Sequence, residues 1–139
     1  MTTTCACSAV RLTLEQAPDY INDCNCDLCR KVGGAWGYFE GSQVQVSGKT
    51  QAFKRTDKVT PAVVVHACEV CSTTTHFTLS EAFLAQNPTA DQVGVNMRLF
   101  NPALLEGVEV RFPDGMSWDG ASEFGYRREP KTISKTWRW

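Results

Sequence analysis

The sequence predicts a mostly β chain, on three observations. Ala9-Val10-Arg11-Leu12-Thr13-Leu14 alternates apolar and polar side chains, the period of a half-buried strand. Ala62-Val63-Val64-Val65-His66 is rich in β-branched residues, which suit the interior of a pleated sheet. Turn residues recur between such runs, at Gly33-Gly34, Gly41-Ser42, Gly48 and Pro113-Asp114-Gly115, whereas helix signals are few.

In chain order, the alternating segment at Ala9 to Leu14 is followed by short strands over Trp36 to Phe39, Val44 to Val46 and Ala52 to Lys54. The run Ala62 to His66 is expected at the centre of a sheet, and His76 to Leu79, Val93 to Met97 and Val108 to Phe112 complete the set. Helical turns are expected over Ser80 to Ala85 and over Pro102 to Leu105, the second with proline at its first position. With 139 residues and no internal repeat, this is most simply one domain. A chain of that length buries roughly two-thirds of its unfolded surface. The domain is assigned to residues 1–128 and a tail to residues 129–139. The tail, EPKTISKTWRW, carries Lys131, Lys135 and Arg138 against Glu129 and ends in Trp137 and Trp139. It is read as a frayed terminus. The alternative is that its tryptophans dock on the body or on a neighbouring subunit, since exposed indoles are costly.

Fourteen basic and fifteen acidic residues nearly cancel, leaving a net charge of −1. Such a balance provides no broad field for phosphate backbones or acidic lipids, so neither a nucleic acid nor a membrane is expected as partner. No apolar run approaches the ~20 residues that span a bilayer. The start, MTTTCACSAVRLTLEQ, lacks a basic region followed by an apolar stretch, so no secretory signal is read and a cytoplasmic location is expected.

Seven cysteines fall in three clusters: Cys5 and Cys7; Cys24, Cys26 and Cys29; Cys68 and Cys71. An odd number in tight groups argues against a disulfide framework and for metal or redox use. Cys24 and Cys26 flank one residue, and a bridge there would violate the separation a disulfide needs. Buried free thiols serving as small apolar side chains would be scattered rather than clustered.

Cys5 and Cys7 project from one face of an extended segment. Cys68-Glu69-Val70-Cys71 directly follows a strand and reads as a knuckle that aims two sulfurs at one point. Two such pairs make a tetrahedral four-cysteine zinc site, closed to substrate, which would fasten the N-terminus to the middle of the domain. The redox reading of Cys68 and Cys71 is weaker, because redox pairs open a helix and Ser72 to Thr75 favours strand. Cys24, Cys26 and Cys29 supply three sulfurs and leave a fourth tetrahedral position open, as in catalytic zinc sites. His66 or His76 completing a second structural site is the alternative. Arg30 and Lys31 follow Cys29 and bring positive charge that suits thiolates and carboxylates. Gly33-Gly34-Ala35 allows backbone to approach a ligand, and Trp36, Tyr38 and Phe39 can wall a pocket.

This pattern resembles the glutathione-dependent formaldehyde-activating enzyme (GFA) family, also called the centromere protein V domain. The resemblance is carried by Cys5-x-Cys7, Cys24-x-Cys26-x-x-Cys29-Arg30-Lys31 with Gly34-Ala35, and Cys68-x-x-Cys71. It extends to Val93-Gly94-Val95-Asn96-Met97-Arg98-Leu99-Phe100 and Val110-Arg111-Phe112-Pro113-Asp114-Gly115. It implies an Mss4-like fold of small antiparallel sheets with two zinc ions per chain. On these positions Cys5, Cys7, Cys68 and Cys71 would hold the structural zinc, and Cys24, Cys26 and Cys29 the catalytic one. The implied activity is a carbon–sulfur lyase acting on a thiol–aldehyde adduct such as S-hydroxymethylglutathione, with Arg30 and Trp36 expected against the thiol substrate. Ser8 and Ser72 stand where the family commonly has glycine, at positions where a zinc knuckle often needs a positive φ.

Two other readings are open at this level. The same architecture serves as a non-catalytic zinc module that binds a protein partner. A thiol redox enzyme of the methionine sulfoxide reductase type would need a free nucleophilic cysteine, and a division of seven into four and three leaves none. A homodimer is compatible with exposed strand edges and the tryptophan-ended tail.

Overall fold

A computed structural model describes residues 1–139. In chain order the elements are β1 (Thr2–Thr4), β2 (Arg11–Leu14), β3 (Tyr20–Asn22), helix α1 (Asp27–Val32), β4 (Trp36–Phe39), β5 (Val44–Ser47), β6 (Thr50–Phe53), β7 (Val63–Cys68), β8 (Thr74–Leu79), helix α2 (Glu81–Gln86), β9 (Val93–Asn96), β10 (Glu109–Arg111) and β11 (Lys131–Thr132). Short 3-10 turns occupy Gly41–Gln43, Met97–Leu99 and Pro102–Leu105. Every strand expected from the sequence is present, its ends moved by at most two residues. Strands β1, β3 and β11 and the helix α1 are additional.

The strands form two sheets, as the Mss4-like expectation required. One has three strands in the order β1-β2-β5, and the other eight in the order β11-β10-β3-β4-β9-β8-β7-β6. The expectation of small antiparallel sheets needs one amendment. Strands β3 and β10 run parallel, with Tyr20 opposite Glu109 and Asn22 opposite Arg111. Nearly ninety residues separate them, so no tight turn dictates their relative direction. The consequence is functional: both strands leave the sheet at the same edge.

The core lies between the sheets. Leu12 and Leu14 of β2 meet Ile21, Val95 and Val110 of the larger sheet, together with Phe112 and Leu105. A second cluster of Trp36, Val65 and Phe77 receives Leu28, Cys29 and Val32, and so docks α1 on the larger sheet. Gly94 is required there, because a Cβ would stand 2.0 Å from the Phe77 ring. Asn96 ties the same region together. It is buried, its Oδ1 accepts from the Ala35 amide at 3.2 Å, and its Nδ2 donates to the Thr74 carbonyl at 3.0 Å.

The terminal segment is docked rather than frayed. Lys131–Thr132 pairs with β10, Ile133 is buried in the core, and Trp137 and Trp139 pack against it. Full burial of Ile133 and partial burial of Trp137 and Trp139 outweigh the entropy that keeps most termini loose. No helix of the chain is long and apolar enough to cross a membrane.

Candidate metal centres and the adjoining cleft

Each cysteine pair sits at the tip of a hairpin. Cys5 and Cys7 lie in the turn from β1 to β2, and Cys68 and Cys71 in the turn from β7 to β8, so the two tips belong to different sheets. The tips face each other, and the four Sγ atoms lie within 4.8 Å of one another. Cys5 Sγ is 3.5 Å from Cys7 Sγ, which is 3.7 Å from Cys68 Sγ. Tetrahedral zinc with Zn–S bonds of about 2.3 Å places its sulfurs about 3.8 Å apart, so the four donors fit the ion.

The turns are built to present those sulfurs. The Ser8 amide donates to the Cys5 carbonyl at 3.0 Å, and the Ser72 amide donates to the Cys68 carbonyl at 2.9 Å. The Val10 amide donates to Cys5 Sγ at 3.2 Å, and the Cys71 thiol and the Thr73 hydroxyl are in hydrogen-bond contact at 3.1 Å. Burial works to raise the Cys5 thiol, but bonds from Val10, Cys7 and Cys68 outweigh it and leave the pKa below its ordinary value. The Thr73 hydroxyl and then its amide draw Cys71 down to about 5. A bond from the Ala9 backbone pulls Cys7 down, but sharing with Cys71, Cys5 and Cys68 outweighs it and pushes Cys7 up to about 12. Two of the four thiols thus favour thiolate, while a third holds its proton until a cation takes its place.

Both knuckles do adopt a positive φ at the residue after the cysteine, 64° at Ser8 and 58° at Ser72. That conformation costs an L-residue about 1–2 kcal/mol, part of which glycine returns through its looser unfolded state. We therefore expect the double change Ser8→Gly, Ser72→Gly to raise unfolding free energy by about 1 kcal/mol in urea titration. A lower stability would contradict the strain assigned to these turns.

The trio is assembled where β3 leaves the sheet. Asp23 is pinned first: its amide donates to the Arg111 carbonyl at 2.9 Å, and Arg98 pairs with its carboxylate at 3.1 Å. Cys26 then caps α1, its sulfur accepting from the Cys29 amide at 3.5 Å. Asp27 in the first turn and Arg30 and Lys31 in the last suit the helix dipole. Gly33 ends the helix in the left-handed region at φ 64°. One turn of helix thus places Cys29 beside Cys26, and the three Sγ atoms lie within 4.8 Å of one another. Trp36 donates its indole Nε1–H to Cys29 Sγ at 3.2 Å. Hydrogen bonds from Cys24 and then Cys29 hold the Cys26 thiol well below its ordinary pKa, while Cys29, sharing with Cys24 and Cys26, is pushed up.

Because β10 runs parallel to β3, the chain after β10 emerges beside the trio. Gly115 abuts Cys24 so closely that a Cβ would stand 2.5 Å from its sulfur. Asn25, between the first two cysteines, donates to Asp114 Oδ1 at 2.7 Å and accepts from the Met116 amide at 3.0 Å. The three cysteines line a cleft of about 700 Å³, and their sulfurs are taken as its floor. Trp36, Tyr38 and Phe77 wall one side, and Arg55 and Lys58 reach in from the loop between β6 and β7. Arg55 is held by Asp57 at 2.5 Å. Burial pushes the Tyr38 hydroxyl up to about 12, and Asn22 Nδ2 donates to it at 3.1 Å.

The structure brings together all seven cysteines as the two expected groups. It places Trp36 on the trio, but through Cys29 as well as the cleft. Arg30 is elsewhere: it is not among the residues lining the cleft, and its guanidinium pairs with Asp27 at 2.5 Å on the exposed side of α1. Helix formation over Asp27–Val32 turns it away from the sulfurs. Gly34 makes room for the Trp36 indole rather than for a ligand, since a Cβ would lie 2.2 Å from that ring. Neither histidine joins either group of sulfurs. His66 and His76 stack at 4.3 Å between centroids and bond to Thr78 and Thr75, each at 3.0 Å. Burial, and then His66 beside it, lowers His76 to about 4. Tyr38 as a hydroxyl in the site, Arg55 and Lys58 were not singled out from the sequence as site residues. The two cations lie in a polar loop, and only the fold shows which loops overlook the trio.

The sequence model of the glutathione-dependent formaldehyde-activating enzyme matches residues 1–102. Among curated proteins none matches the chain in sequence. A crystal structure of a Rhodobacter sphaeroides protein superposes with a TM-score of 0.57 at 22% identity, covering 78% of this chain and 97% of that one. That likeness supports the fold. With two cysteine groups able to hold zinc and a family match over most of its length, the chain belongs to the glutathione-dependent formaldehyde-activating enzyme family.

Proposed function

We propose that the protein is a zinc-dependent carbon–sulfur lyase that joins a small acidic thiol of the glutathione type to an aldehyde, and cleaves the adduct in reverse. The observation that carries this reading is the convergence of Cys24, Cys26 and Cys29 on the floor of a cleft, with no histidine or carboxylate completing their set. Cys5, Cys7, Cys68 and Cys71 serve as the structural site. Zinc held by the trio would keep a substrate sulfur ionised at neutral pH.

The chain's own residues do the rest. Arg55 and Lys58 attract the carboxylates of the thiol and orient its sulfur toward the floor. Trp36 fixes Cys29 through its indole N–H. In the synthetic direction the sulfur forms a bond to the carbonyl carbon, and the π pair moves onto oxygen. That oxygen takes a proton from Tyr38, which is replenished from solvent, where the thiol proton was released. Asn22 donates to the Tyr38 oxygen, which leaves the phenolic O–H free to point at the carbonyl. In reverse, the hydroxyl loses its proton, the C–S bond breaks, and thiolate and aldehyde separate.

The test is X-ray absorption on zinc-loaded protein with and without glutathione. Two zinc ions per chain are expected, with the average number of sulfurs per zinc rising when glutathione is added. A sulfur shell unchanged by saturating glutathione would overturn the reading and favour a non-catalytic zinc module.

A further inference from the structure

Part of the cleft is not accounted for by a one-carbon aldehyde. Besides Trp36 and Tyr38, the cleft is lined by the chain beyond Gly115, through Met116, Trp118 and Phe124. These residues lie outside the segment that the family model matches, which ends at residue 102. Trp118 and Phe124 are stacked, with centroids 4.3 Å apart and planes 22° from parallel, yet remain 37% and 45% exposed. The stack is preformed. The Trp118 Nε1–H donates to the Ser122 carbonyl at 2.6 Å, and Asp119 Oδ1 accepts from the Ala121 and Ser122 amides at 2.9 Å each. The base of the segment is clamped to the trio through Asn25. Two large rings stacked on one another, each with part of its surface left to water in the cleft that the sulfurs also line, suit an apolar planar group in the ligand.

We propose that the aldehyde half of the adduct carries an aromatic group, which Trp118 and Phe124 receive, while Arg55 and Lys58 receive the acidic thiol half. This rests on the thiol–aldehyde reading above and names its substrate class. The atoms balance as before: the thiol sulfur bonds to the carbonyl carbon of an aromatic aldehyde, and the carbonyl oxygen becomes a hydroxyl. Formaldehyde has nothing to place against those rings. The cationic loop and the aromatic segment line one cleft with the sulfurs at its floor, which is the arrangement that an adduct with one charged and one aromatic half requires.

Two stable thioethers separate the possibilities. S-benzylglutathione is the adduct of an aromatic aldehyde without its hydroxyl, and S-methylglutathione is the formaldehyde adduct without its hydroxyl. Calorimetric titration of the zinc-loaded protein is expected to show the benzyl compound binding about tenfold more tightly than the methyl one. In Trp118→Ala, whose side chain is outside the core, that preference is expected to fall to about twofold or less. Equal binding of the two thioethers, or binding of neither where glutathione itself binds, overturns the aromatic assignment and leaves the thiol reading standing. A preference that survives in Trp118→Ala also overturns it. No binding of glutathione overturns both.

Discussion

Replacing Cys68 by alanine is expected to unfold the protein or leave it barely stable, with loss of one zinc per chain. Cys68 is fully buried, and its sulfur is one of the four gathered where the β7–β8 tip meets the β1–β2 tip. Those tips belong to different sheets, and among their direct links is the bond from the Ala6 amide to the Thr73 hydroxyl at 3.3 Å. The local apolar cluster is small, consisting of Cys5, Val10 and Cys68 with Cys71 against it. Burial of that size contributes a few kcal/mol at most. A structural zinc contributes on the order of 10 kcal/mol in small metal domains, comparable with the whole stability of a domain this size. The expected loss is therefore about 5 kcal/mol or more, after allowance for the main core, which also joins the sheets through Leu12 and Leu14. Urea unfolding of the zinc-loaded variant, paired with metal analysis, measures it. A Cys68→Ala protein that unfolds within about 1 kcal/mol of the parent would remove the structural role from this quartet.

The metal chemistry was legible before the fold was. Sulfurs two or three residues apart converge whatever the surroundings, because turn geometry over so few residues has little freedom. The positive φ at Ser8 and Ser72 followed from the same local constraint. Strands were legible where alternation or β-branching marked them, as at Arg11–Leu14 and Val63–Cys68. The helix α1 was hidden because its N-cap is a cysteine. A serine at position 26, ahead of Asp27, Arg30, Lys31 and Gly33, would have announced a helix start and stop in the usual way. Without that helix Arg30 is expected beside the sulfurs, whereas the helix carries it to the exposed side, where it pairs with Asp27. The strand β3 was too short to show a period, and its parallel partner β10 lies nearly ninety residues on.

That distant pairing decides the shape of the cleft. Had β10 run antiparallel to β3, the segment after Phe112 would leave from the opposite edge of the sheet, away from the trio. The aromatic wall and the sulfur floor are neighbours through topology alone, which no local pattern encodes. Arg55 and Lys58 arrive by the same route, carried in by the β6–β7 loop. Trp36 and Tyr38, close in sequence to the trio, were therefore legible as pocket walls, whereas Arg55, Lys58 and the segment beyond Gly115, which reach the cleft only through the fold, were not.

Replacing Cys26 by serine is expected to abolish turnover while leaving the fold intact. Cys26 has two duties that the substitution separates. Its sulfur accepts from the Cys29 amide to start α1, and it is the middle member of the trio. Serine is among the best N-cap residues, so the helix should start as before, with a stability change of about 1 kcal/mol or less. Its neutral hydroxyl is a poor ligand for zinc compared with a thiolate, and Cys24 and Cys29 alone do not make a closed or a catalytic set. One zinc per chain should be lost, and formation of the glutathione adduct of the aldehyde that the parent turns over, aromatic or formaldehyde, should fall by on the order of a thousandfold or more, toward the uncatalysed rate. The zinc retained should be the one at Cys5, Cys7, Cys68 and Cys71, so far-ultraviolet circular dichroism and the urea midpoint should stay close to those of the parent. The contrast with Cys68→Ala is the decisive part. If Cys26→Ser loses as much stability as Cys68→Ala, the trio is a second fastening of the fold, and the separation of a structural quartet from a reactive trio fails. If it keeps both zinc ions and full turnover, the chemistry does not pass through Cys26 at all.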